Sequence, residues 1–224
     1  MLVAAAVCPH PPLLIPEVAS GAAPELDLLR AACDAAVKQL LAADPDVVVV
    51  VGAAAHVVGS SGTFAAYGVG LRVGSGPATL PLPHTVGCWL LDRAGWTGRR
   101  AFAGAHDDHL VTGEAGRVAL LVMGDASARR TEKAPGYIDA RAALYDGAVA
   151  DAMRSGPDAV AALDADLADQ LLVAGWPAWQ FLARVAEESA WSTEIRYDDA
   201  PYGVGYLVVS WQHNTDVVEG WETR

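Results

Sequence analysis

The sequence predicts a single α/β domain with a mostly parallel central sheet and helices on both faces. Three observations carry that prediction. Five consecutive valines, Val47 to Val51, form a run with no wet side, which suits a strand covered on both faces. A second short apolar run, Leu2 to Val7, opens the chain. Between them lies a stretch with helical periodicity, so strand, crossover helix and strand make a βαβ unit whose strands should run parallel.

After the first strand, Pro9 to Pro16 is a rigid loop, because its prolines fix φ. Ser20 to Pro24 leads into a helix that reaches about Ala43. Its Leu26, Leu29, Cys33, Ala36, Val37, Leu40 and Leu41 share one stripe, with Asp27, Arg30, Asp34 and Lys38 opposite. Pro45 stops this helix before the valine strand. Gly59 to Gly76 is rich in Gly, Ser and Thr around a short strand, Val69 to Val73. The pairs Gly68-x-Gly70 and Gly74-x-Gly76 read as turns, since no helix follows in the spacing of a dinucleotide fingerprint. Pro81-Leu82-Pro83-His84 precedes a helix over Thr85 to Ala94. A polar loop, Gly104 to His109, leads to another buried strand, Arg117 to Met123, ended by Gly124-Asp125. The second half is mainly helical: Ala140 to Met153, one or two helices within Asp158 to Val173, and Pro177 to Ala190. A last strand, Val204 to Trp211, follows the turn from Asp198 to Gly203. The domain spans 1–212, with a polar tail over 213–224.

Composition narrows the function classes. With 224 residues, 53% hydrophobic and 19% charged, the chain can bury a sizeable core. A net charge of −12, from 27 acidic and 15 basic residues, argues against a nucleic-acid surface. The densest basic spots, Arg99-Arg100 and Arg129-Arg130, are only pairs; they read as solvated loop charges, with an anionic substrate group as the alternative. Cys8, Cys33 and Cys88 are odd in number and lack a C-x-x-C, so neither a disulfide framework nor a zinc knuckle is expected. A reducing cytoplasm fits. Met1 to Cys8 lacks the basic region and length of a signal peptide. No apolar run approaches the ~20 residues of a membrane span. The expected partner is a small molecule in the cytoplasm, not nucleic acid or a membrane.

Both buried strands deliver a histidine at the same end, His10 and His56. Ligands in open α/β sheets bind outside the carboxyl ends of the strands. Two histidines and a carboxylate are the donor set of non-haem Fe(II) sites with open positions. The alternative is that His10 packs among prolines and His56 caps its strand, each bonded to a backbone carbonyl.

Cys8-Pro9-His10-Pro-Pro-Leu-Leu-Ile-Pro-Glu17, with the valine strand and His56 beyond it, resembles the LigB-like class III extradiol dioxygenases, a superfamily that includes the Memo proteins. Met123-Gly-Asp125-Ala-Ser127 is similar to the family segment at the end of a central strand. Leu172 to Ala178, Ile195-Arg-Tyr197 and Tyr202-Gly-Val-Gly-Tyr206 resemble the C-terminal part of bacterial members. The resemblance covers most of the chain and is loose between about 59 and 115. It implies Fe(II) held by His10 and His56, with Zn, Cu or no metal as the other options. It also implies a small catechol-type substrate that chelates the metal through two oxygens, ring opening by dioxygen, and a dimer as a plausible assembly. Two family positions are replaced. The acid/base histidine falls at about Ala128, and the third ligand, Glu or in Memo-type proteins Cys, falls near Ala174 or Gly175. Asp125, which can equally be a turn or cap residue, is the candidate third ligand. His109 and His84 are the candidate acid/base, set against ordinary surface-loop histidines. His106-Asp107-Asp108-His109 is similar to an Asp-His pair of aromatic dioxygenase relatives. His213 is expected past the last strand. Trp176, Trp179 and Trp191 suit either an aromatic pocket or the core, and Cys8 either a Memo-like metal or redox site or a core thiol. A serine hydrolase would want G-x-S-x-G, which Gly124-Asp-Ala-Ser127-Ala does not match. The second functional reading is a Memo-like metal- or partner-binding protein without ring cleavage.

Overall fold

The structure, a computed structural model, describes residues 1–186 and 191–214. Strand β1 (Leu2–Cys8) is followed by helix α1 (Pro16–Ala19), a 3-10 segment (Ser20–Leu26), α2 (Asp27–Ala42) and β2 (Val47–Val51). A small antiparallel pair, β3 (Ser61–Thr63) and β4 (Arg72–Gly74), precedes α3 (Leu82–Arg93), β5 (Arg99–Ala103), α4 (His109–Thr112) and β6 (Val118–Met123). Helices α5 (Ala142–Ser155), α6 (Pro157–Ala161), α7 (Ala165–Gln170) and α8 (Trp176–Val185) lead to β7 (Trp191–Asp199) and β8 (Tyr206–His213).

The main sheet has six strands in the order β5-β2-β6-β1-β8-β7. The first four are parallel; β8 pairs antiparallel with β1, and β7 antiparallel with β8. The expected parallel sheet is therefore a mixed one. Nor are β1 and β2 neighbours: β6 lies between them and pairs with both.

Burial follows the pleat. Val47, Val49 and Val51 join Ala5 and Val7 in one core cluster, with Met153, Phe181 and Leu182 from α5 and α8. Val48 and Val50 join Ala4, Ala6 and Cys8 in the other, with Leu29, Cys33 and Val37 of α2 and Leu90 of α3. All five valines are at most 1% exposed, and burying each is worth about 1.5–3 kcal/mol. Of the polar stripe of α2, Asp27 and Lys38 face outward and Asp34 is half-buried, but Arg30 is buried, its guanidinium donating to the Leu14 and Ala23 carbonyls and to Asp27. Cys8, Cys33 and Cys88 are free and buried. Among the described residues no helix is long and apolar enough to cross a membrane.

Two strands of the main sheet, β5 and β7, have no counterpart in the sequence reading, nor has the short β3. β5 and β7 are edge strands, so their outer rows stay polar and the apolar signal is diluted. The short strand expected at 69–73 is β4, shifted toward the glycines, and paired with β3. Trp179 lies in the core. His213 is the last residue of β8, packed edge-on against Trp191 at 5.3 Å between ring centres. The last part of the expected helix, 187–190, and the tail from 215 lie outside the described residues. The basic pairs largely serve internal ion pairs: Arg99 with Glu114, Arg100 with Asp92, Arg130 with Asp146.

Candidate functional site

Four parallel strands end on one edge of the sheet, and the candidate residues follow those ends. Beyond β1 comes His10, beyond β2 His56, beyond β5 Asp107 and beyond β6 Asp125.

His10 and Asp125 form the first pair. The His10 backbone N–H donates to Asp125 Oδ1 at 2.7 Å, which ties the β1 and β6 ends together. The ring Nδ1 lies 3.5 Å from the same oxygen, too far for a good hydrogen bond, and is buried without a partner. Burial pushes the Asp125 carboxyl above its ordinary range, opposed in part by the charge and N–H of His10. The buried phenol of Tyr206, at the start of β8, is likewise pushed up, by burial first and then by Asp125.

His56 pairs with Asp107 instead. Its Nδ1 is 2.6 Å from Asp107 Oδ1, and its ring is 70% exposed. The other Asp107 oxygen accepts the Gly104 N–H at 2.8 Å. Burial alone would raise the Asp107 carboxyl. The His56 hydrogen bond, the Gly104 N–H and the charges of His56 and His109 outweigh it and hold the group below its ordinary range. The His106 ring stands edge-on to His56 at 6.3 Å.

His84 differs from the surface-loop residue expected. It is the third residue of α3 and fully buried. Its Nε2 meets the Ala103 carbonyl at 2.8 Å, while Nδ1 is buried and unpartnered. Burial lowers its pKa, with the Ala103 hydrogen bond opposing, and it feels both His10 and Asp107. Gly52 makes room for it: a Cβ there would sit 2.8 Å from His84 Cε1. His109 is exposed, at the first position of α4.

The two strand-end imidazoles, expected to share one site, therefore stand each beside its own carboxylate, and His84 feels the charge of both His10 and Asp107. The insertion of β6 between β1 and β2 separates the histidine loops, and Asp107 turns His56 toward β5. Among the described residues no three His, Cys, Asp or Glu side chains are grouped closely enough to hold a metal ion. His10 keeps an unpartnered buried nitrogen beside Asp125, and His56 has its Nδ1 bound by a carboxylate, the arrangement that leaves Nε2 for a metal. The His10–Asp125 pair and His56 are not drawn together into one donor set.

Positions 128, 174 and 175, which the resemblance marks as replaced, also lie around this edge. The Gly175 N–H donates to the Asp125 carbonyl at 2.8 Å. A Cβ on Gly175 would meet Trp179 Cε2 at 2.5 Å and the Asp125 carbonyl at 2.9 Å. Position 175 thus abuts Asp125 with no room for a side chain, while Ala174 is exposed. The Ala128 backbone is bonded to Leu171 and Gly136, and its methyl group carries no proton. Ser127 is fully buried, its hydroxyl donating to buried Asp146 at 2.8 Å.

Tyr206 carries no signal in the sequence as a site residue, and Asp107 stands out there only within the His106–His109 motif, not as the partner of His56. The Asp107 pairing depends on β5 lying beside β2, and β5 had no sequence signal. No protein-family model matches the chain, and no curated protein matches it.

Proposed function

We propose that the chain is a LigB-like class III extradiol dioxygenase homologue that binds a divalent iron at the carboxyl edge of its sheet and takes a small catechol-type aromatic. The observation that supports this reading is the pair of imidazoles, His10 and His56, at the ends of two parallel strands that flank the β6 end carrying Asp125. His10 and His56 would hold the ion, and Asp125 would be the carboxylate. Bound there, iron(II) would supply Lewis acidity and a one-electron couple.

The chain's own residues have separable tasks. Asp107 orients His56. Asp125 fixes the His10 loop through the backbone N–H. Of the two candidate acid/base histidines, His84 is the inner one; its Nε2 is committed to the Ala103 carbonyl, so only the buried Nδ1 would be left to accept a proton from a substrate that displaces the groups covering it. His109 is exposed, and its charge bears on Asp107.

A second reading, a Memo-like binding protein without turnover, draws support from the alanine at 128 and from a donor set in which His56 stands apart from His10 and Asp125. One experiment separates them. Protein loaded without oxygen takes up about one Fe(II) per chain, and His10→Ala with His56→Ala abolishes uptake. A panel of catechols supplied with oxygen then gives a yellow ring-opened product. Bound iron with a colourless panel selects the binding protein, and unchanged uptake in the double variant removes these histidines from the site.

A further inference from the structure

We propose that the single peptide group joining Ala103 to Gly104 fixes the tautomers of two imidazoles in the site, His84 directly and His56 through Asp107, which makes Asp107 a positioning residue. Its consequence for metal binding rests on His56 being a ligand, as proposed above; its consequence for the proton positions does not.

The argument is one of donors and acceptors. A carbonyl oxygen only accepts, so the ring nitrogen that meets Ala103 O at 2.8 Å carries hydrogen. That nitrogen is His84 Nε2. Its Nδ1 is buried with no group to receive a proton, so the ring is neutral and Nδ1 carries the lone pair. The N–H end of the same peptide unit donates to Asp107 Oδ2 at 2.8 Å. Held there, and 7% exposed, the ionised carboxylate presents Oδ1 to His56 Nδ1 at 2.6 Å. An ionised carboxylate also only accepts, so neutral His56 carries its hydrogen on Nδ1 and its lone pair on Nε2. The two rings are thus locked in opposite tautomers from opposite ends of one peptide plane.

The plane itself is held. Ala105 N–H donates to Ala54 O at 2.7 Å, and Gly52 N–H to Ala103 O at 3.3 Å, so the β2–β5 pairing continues past both strands into the His56 loop. An exposed ring with no such lock would hold its proton on either nitrogen and turn freely. With the lock, Nε2 is a standing lone pair. Acidic outer partners of this kind raise metal affinity about 10–100-fold.

Long-range nitrogen–proton NMR of the imidazoles, on metal-free protein above the histidine titration range, tests this. Wild type is expected to show His84 protonated on Nε2 and His56 on Nδ1. In Asp107→Ala, His56 shifts toward the Nε2–H form that an unbonded imidazole favours in water, and His84 does not change. Asp108→Ala, which removes a neighbouring carboxylate paired with Arg184, leaves both as in wild type. Asp107→Asn covers the case in which the alanine variant does not fold: its one oxygen is contested by two donors, so His56 again loses its preference. Co(II) titration is the second readout, with Asp107→Ala weakened about 10–100-fold. A His56 that keeps Nδ1–H without Asp107, or a wild-type His84 protonated on Nδ1, overturns the inference. Wild type that binds no Co(II) while the tautomers move as stated removes the metal reading and leaves the clamp standing.

Discussion

Gly104→Ala tests the clamp from the backbone side. A methyl group at this position would lie 2.5 Å from Ala54 O and closer still to the Ala55 carbonyl. Non-bonded heavy atoms settle at about 3.5–4.0 Å, so the loop that carries His56 must retreat by about 1 Å. No torsional strain is involved, since Gly104 is absent from the glycines with positive φ; the whole effect is overpacking, worth about 1–3 kcal/mol. For a chain of this size that is a fall of about 2–12 °C in Tm, at ~2–4 °C per kcal/mol. The same ~1 Å displacement at a reactive group can cost about 100-fold in activity, so metal or substrate affinity should fall by more than stability suggests. The control is Gly147→Ala in α5, where a Cβ meets nothing within 4 Å. It should stabilise by about 0.4–1 kcal/mol. Urea unfolding of both variants, followed by tryptophan fluorescence, reads the difference. If Gly104→Ala is as stable as Gly147→Ala, the two loops are not held together and the clamp has no backbone support.

Three further predictions follow from the same edge of the sheet. Asp146 is 5% exposed and accepts the Ser127 N–H, the Ser127 hydroxyl and Arg130; Asp146→Ala should cost about 3–5 kcal/mol and Ser127→Ala only about 1 kcal/mol, and equal losses by urea titration would contradict the network. Asp107 and Asp125 should give stability profiles of opposite sign. The Asp107 pKa is depressed on folding, so its contribution is full above the ordinary carboxylate range and is lost as pH falls through the folded value. That of Asp125 is raised, so its contribution is full in acid and is lost as pH rises through the folded value. Asp125→Asn should therefore be as stable as wild type or more so at pH ~7, and Asp107→Asn less so, with both differences closing in acid; urea midpoints against pH that move together would refute this. Finally, Ala174→Glu should tighten Fe(II) binding about tenfold or more, a gain of ~1.4 kcal/mol, whereas Gly175→Glu should destabilise by about 1–3 kcal/mol; isothermal titration and melting curves distinguish them.

The sequence was most readable where residues have no alternative. Five valines in a row, and six apolar residues after Met1, must be buried on both faces, and β1, β2 and β6 lie within a residue or two of where those runs place them. The strand ends with their histidines came with them. What escaped depended on neighbours. Arg99-Arg-Ala-Phe-Ala103 begins with two arginines, and Trp191 to Asp199 alternates among Ser, Thr, Glu and Arg, so neither run declares itself as a strand until the rest of the sheet supplies its inner edge. The site failed to read for the same reason. His56 finds its carboxylate across the β2–β5 pairing, and His84 is buried because Gly52 leaves a gap beneath the start of α3, a fit between residues 32 positions apart that no local pattern records. Order along the strands was legible; which side chain met which was not.

Gly124 and Gly175 meet where β6 stops and α8 begins, with the Trp179 indole filling the space a side chain would need. A Cβ on Gly124 would already stand 3.0 Å from Trp179 Nε1. The junction therefore closes position 175 to anything larger. A side chain could be seated there only after Trp179 had been made smaller, a change that hollows the core before anything is gained.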